Sequence, residues 1–108
     1  VNQPEILNDL PITHDRHGNV IEVGARVRSF DFAPYNRDLE GERACFIEGV
    51  VEGVSREGWD CDRYVIRPTR RIAGGAERDF ADDTLFFPPL NGTPGLIGGD
   101  QDGVEILA

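Results

Sequence analysis

Two histidines stand three residues apart in His14-Asp15-Arg16-His17. Imidazoles at that spacing can share a metal ion where a loop curls, and a zinc site would need two further ligands. Cys45 and Cys61 are the two thiols on offer, but they form no Cys-x-x-Cys pair. His14 and His17 therefore read as polar turn residues, and neither a metal nor a cofactor is expected. Hydrolysis needs a nucleophile with a base in reach. Ser29, Ser55 and many carboxylates are present, but nothing has a recognisable spacing. Asp82 and Asp83 are adjacent, so in an extended chain they point to opposite faces; they read as a solvated acidic loop. Gly74-Gly75 and Gly98-Gly99 lack both the P-loop lysine and the dinucleotide glycine pattern. No catalytic residue is assigned.

Binding chemistry is better represented. Arg63, Arg67, Arg70 and Arg71 form the one basic cluster, a stripe able to hold phosphate or carboxylate. Glu48 and Glu52 are placed to neutralise Arg67 and Arg63, which leaves Arg70 and Arg71 for a ligand. Tyr35 and Trp59 fall in connections, where packing alone explains an aromatic less well. Small barrels bind peptides through aromatics on loops at one rim. Tyr35, Trp59, Arg70 and Arg71 are therefore the candidate partner-binding residues. Phe86 and Phe87 are neighbours and cannot both face one core.

These residues need strands to position them. Residues 1–13 contain two prolines and read as an extended arm, with one helical turn around Ile6–Leu10. Asp15–Asn19 is a polar turn, and a strand pattern runs from Val20 to about residue 32, before a polar loop over 33–43. In 44–54, ACFIEGVVEGV, the apolar residues fall at helical spacing. Gly49, Gly53 and the valines favour a bent strand instead, with the glycines marking bulges or close backbone approach. Residues 61–72 alternate Tyr64, Ile66 and Ile72 against arginines, and Pro68 marks an edge. With a connection over 55–60, Val54 faces Cys61, Glu52 faces Arg63, Val50 faces Val65 and Glu48 faces Arg67. That register keeps Cys45 and Cys61 apart as free thiols. Thr84–Phe87 is a further short strand, residues 91–108 are a loop-rich acidic tail, and Val104–Leu107 can close the sheet.

Short strands separated by turns indicate an all-β barrel or sandwich. Glu-Val-Gly-Ala-Arg-Val-Arg at 22–28, followed by a polar loop and a glycine-rich strand, resembles the opening of small Src homology 3-like barrels of the transcription-elongation (KOW) type. The likeness covers about a third of the chain. It implies one domain over 1–108, a barrel of about five to six short strands with long loops and an irregular acidic tail. The whole chain is also similar to small uncharacterised proteins of phages and gene cassettes, which implies an accessory protein of a mobile genetic element.

The 108 residues include 20 acids and 11 basic residues, all of them Arg, for a net charge of -9. Such a chain repels nucleic-acid phosphates, so nucleic acid is not an expected partner. No run reaches the roughly 18 apolar residues of a spanning helix, and no segment reads as a signal peptide. A cytoplasmic, non-enzymatic binding module for a protein or peptide is the expected function. The alternatives are an acidic mimic of nucleic acid, using the carboxylates of 77–83 and 100–105, and a small metal-dependent or hydrolytic enzyme.

Overall fold

The computed structural model describes residues 5–30, 41–93 and 103–107. Within them the protein is all-β. Strands β1 (Arg26–Ser29), β2 (Phe46–Ser55), β3 (Arg63–Ala73), β4 (Ala76–Glu77) and β5 (Val104–Ile106) form one antiparallel sheet in the order β4-β3-β2-β1-β5. A short 3-10 turn at Gly41–Arg43 precedes β2. The sheet is not closed by strand pairing, so the barrel expectation is met only as far as the all-β class. No helix among the described residues is long and apolar enough to cross a membrane.

The valine-rich segment is a strand, and its misleading helical spacing has a physical cause. β2 and β3 pair Val51 with Ile66 but Gly53 with Val65, so Glu52 is an extra residue. A bulge of one residue resets the two-residue alternation. Val51 and Val54, three apart, consequently both enter the core cluster with Val27, Tyr64, Ile66 and Val104. A second irregularity lies between Glu48 and Gly49, opposite Pro68 and Arg70. The glycines serve close approach: a Cβ on Gly49 would stand 2.3 Å from the Arg67 carbonyl oxygen, and one on Gly53 2.3 Å from that of Leu7. The hairpin stands off the register expected from charge matching from the turn onward, before either bulge is reached. Tyr64 faces Val54 and Arg67 faces Val50, and the connection runs over 56–62. The inward assignment of Val51, Tyr64 and Ile66 nevertheless stands, since all three are fully buried.

Other expected elements are shorter than their sequence patterns. Residues 20–30 are not one strand: Val20 bridges His14, a turn at Val23–Gly24 follows, and β1 begins at Arg26. Gly24 takes a φ of 93°, which suits glycine in that turn. Residues 6–10 form no helix; Leu7 instead exchanges both backbone hydrogen bonds with Val54. Thr84–Phe87 is reduced to a bridge between Phe86 and Ile66, with a second bridge between Pro89 and Arg63. Pro68 does mark an edge. Ile66 bonds Phe86 on the side away from β2, and by alternation the missing N–H of Pro68 falls on that same outer side.

The amino-terminal segment is locked to the far edge by polar side chains. Asp15 Oδ1 accepts the backbone N–H groups of His17 and Asn19, both at 2.9 Å, and Oδ2 accepts that of Ile106 at 3.1 Å. The buried Tyr64 hydroxyl shares a hydrogen bond of 2.7 Å with Thr13 Oγ1 and accepts the Asn91 N–H at 3.1 Å. Asn91 Nδ2 donates to the carbonyls of His14 and Val104. The predicted arm is thus part of the packed structure from residue 5 onward.

Candidate binding surfaces

The basic cluster on β3 does not offer the free cations expected of it. Across the sheet, Glu105 of β5 faces Arg28 of β1, Arg28 faces Glu48 of β2, and Glu48 faces Arg70 of β3. Arg70 Nε then reaches Glu77 Oε1 of β4 at 2.5 Å, and its Nη1 lies 3.7 Å from Glu48. A row of alternating sign therefore runs over all five strands, the arrangement in which cross-strand charges stabilise one another. Glu77 beside Arg70 raises the guanidinium pKa. Phe46 lies under this row, with the Arg28 guanidinium 4.1 Å and that of Arg70 5.9 Å from its ring centroid. The expectation that Arg70 is unpaired is corrected: it is the fourth member of the ladder. Arg71 is exposed and makes no ion pair among the described residues.

The glutamate pairings also differ from those expected. Glu52 takes Arg67 in a two-pronged contact of 2.7 and 2.9 Å, and Glu48 takes Arg28. Arg67 holds the Glu52 carboxyl below its usual range. Arg63 instead reaches Asp60 at 3.1 Å and the Phe87 carbonyl at 3.0 Å. The displaced turn moves each arginine along β2, and Arg63 stands opposite Ser55 rather than Glu52.

Trp59 is held from three sides. Its Nε1 donates to the buried Ser55 Oγ at 2.9 Å. Its ring packs on Phe87 at 5.2 Å, and the Arg63 guanidinium lies 5.1 Å from its centroid. Trp59 as a whole remains 36% exposed. Phe87 covers Trp59 while Phe86 packs against the core, as expected for neighbours that cannot share one face. Trp59 and Arg70 are not brought together: Arg63 and Arg70 are seven steps apart along β3, roughly 23 Å. Tyr35 lies outside the described residues, as do Asp100 and Asp102 of the acidic-mimic reading.

The histidines and cysteines stay apart. No group of three or more potential metal ligands occurs among the described residues. His17 faces Glu105 at 3.7 Å, and both cysteines are free. Burial raises the Cys61 pKa, and Asp60 and Asp62 add to the rise against Arg63, so its thiolate is disfavoured.

A cleft of mixed lining, with Asn8 and Glu22 beside apolar side chains, lies outside the sites expected from the sequence. Leu10, Pro11 and Ile12 form one wall, and Val20, Ile21 and Val23 the other, around a volume of about 380 Å³. The walls are brought together by the Asp15 turn, since the His14–Val20 bridge and the Ile21 N–H to Thr13 carbonyl bond run the two segments antiparallel. Ile12 is 80% exposed, Val23 48% and Val20 41%. The signal lay in the apolar residues on both arms of a turn that Asp15 and Asn19 specify; reading 1–13 as a loose arm hid it. Glu22 lines the same cleft.

No family model, curated protein or solved structure matches the chain. The functional reading therefore rests on these surfaces.

Proposed function

We propose that the chain is a non-enzymatic binding module that contacts a protein or peptide partner. The observation that carries this reading is the exposure of Ile12, Val20 and Val23 around one cleft. Scattered single apolar side chains are ordinary on a surface, whereas a contiguous group beside a concavity marks an interaction site. Trp59 supports the reading independently. Its ring is fixed by Ser55, Phe87 and Arg63 and still presents a face to solvent, so little side-chain freedom is lost on contact. The all-β frame supplies the rigid support, and the Src homology 3-like barrel remains part of the proposal.

The test is a selection of peptides from a random displayed library on the immobilised protein. The expected result is enrichment of sequences that bind in solution and lose affinity with Ile12→Ser or Trp59→Ala. Failure of any peptide to enrich over the bare support overturns the reading. Enrichment of nucleic-acid-binding basic proteins in a salt-sensitive capture, with both variants unaffected, would favour the acidic mimic.

A further inference from the structure

We infer that the cleft between residues 10–12 and 20–23 takes a short apolar peptide segment flanked by lysine or arginine. This deepens the binding reading above and rests on it. Three of the lining side chains, Ile12, Val20 and Val23, are apolar and exposed, so what covers them must bring apolar side chains. Among the described residues, the one charged side chain lining the cleft is Glu22, and it makes no ion pair among them. Asp9, beside Leu10, is already held by Arg56 at 2.8 Å. An approaching ligand therefore meets one uncompensated carboxylate at the cleft, within a chain of net charge -9. A cation flanking the apolar residues satisfies that carboxylate and is drawn in by the field of the whole protein.

The same charges argue against a second copy as the occupant. Pairing two identical patches about a twofold axis sets Glu22 near Glu22. It also brings two strongly acidic chains together. Like charges across an interface disfavour the contact.

The probe is a pair of fluorescent peptides with the sequence Gly-X-Ile-Val-Leu-X-Gly, X being Lys in one and Glu in the other, titrated with the full chain. The Lys peptide is expected to bind and the Glu peptide to bind more weakly. Ile12→Ser should weaken the Lys peptide about tenfold, as the loss of a buried Ile contact implies. Glu22→Lys should weaken it about threefold, the scale of one exposed ion pair, and should strengthen the Glu peptide. Ile12 is mostly exposed, so the unchanged melting temperature of Ile12→Ser controls for folding. Binding untouched by both variants but lost with Trp59→Ala overturns the cleft and leaves the module reading standing. Equal binding of both peptides overturns the charge requirement. Self-association in sedimentation that Ile12→Ser abolishes assigns the cleft to a second copy and overturns the inference. Absence of binding by either peptide also overturns it; library peptides that still enrich keep the wider reading.

Discussion

The side-chain amide of Asn91 pairs with the backbone of Val104 as a neighbouring strand would. Its Oδ1 accepts the Val104 N–H at 3.2 Å and its Nδ2 donates to the Val104 carbonyl at 2.7 Å. One side chain thereby joins the end of the 86–90 segment, which bridges β3, to β5 at the opposite end of the sheet. Asn91→Ala should free both Val104 groups and the His14 carbonyl, at a cost of roughly 2–3 kcal/mol. Amide hydrogen exchange should report it, with Val104 and Ile106 losing protection before Val51 and Ile66. Unchanged protection at Val104 would show that Asn91 does not hold β5.

Asp15 makes stability fall at acid pH. Burial raises its pKa, but the backbone N–H groups of Asn19, Ile106 and His17, with the Asn19 side chain, outweigh that and lower it overall. A carboxyl whose folded pKa lies below its unfolded value of about 3.9 contributes its full stability above the unfolded value. That contribution is lost as pH falls through the folded pKa. Asp15→Ala should cost roughly 2–3 kcal/mol near neutrality and flatten the acid limb of a denaturation series. An unaltered acid limb would assign acid sensitivity to the surface carboxylates.

Gly49 and Gly18 should respond differently to alanine. At Gly49 the new Cβ meets the Arg67 carbonyl oxygen at 2.3 Å and Ile66 Cγ2 at 2.7 Å. Backbone cannot yield there without parting β2 from β3, so about 3 kcal/mol or more is expected, the upper end for overpacking. At Gly18 nothing lies within 4 Å and only the φ of 83° is strained, for about 1–2 kcal/mol. Urea denaturation of the two variants measures the difference.

The thiols should titrate as two after unfolding without reductant. In the folded protein Cys61 should react slowly with a disulfide reagent near pH 8, because burial raises its pKa. A fast-reacting Cys61 would contradict its surroundings.

Much of this frame was legible in the residues. Tyr64, Ile66 and Val51 declared their inward face, Pro68 its edge, and Gly49 and Gly53 their close contacts. The register was not legible, because the connection runs over 56–62 rather than 55–60 and a bulge is chosen by what lies across it. Leu7 approaches Gly53 and Phe86 approaches Ile66, and both come from distant parts of the chain. Matching Glu48 and Glu52 to arginines gave a self-consistent but displaced pairing. The glutamates match arginines again after a shift of four, Glu48 against Arg71 and Glu52 against Arg67. Of the candidate site, the place of Trp59 in a connection was legible, whereas the cleft needed the fold. Ile12 and Val23 are eleven residues apart, and only the Asp15 turn sets them side by side.

The treatment of the sheet's margins bears on solubility. An open strand edge is a template on which another chain can add, and repeated addition gives aggregates. Outer N–H groups of β5 at Val104 and Ile106 are consumed by Asn91 and Asp15. On β3, the stretch between the Phe86 bridge and β4 carries Pro68, which has no N–H to offer, among the exposed side chains of Arg67, Arg70 and Arg71. Both margins thus resist strand addition by different means, one through side-chain occupancy and the other through a missing donor flanked by charged side chains. A protein armed in this way can leave a cleft open to a partner without its sheet polymerising edge to edge.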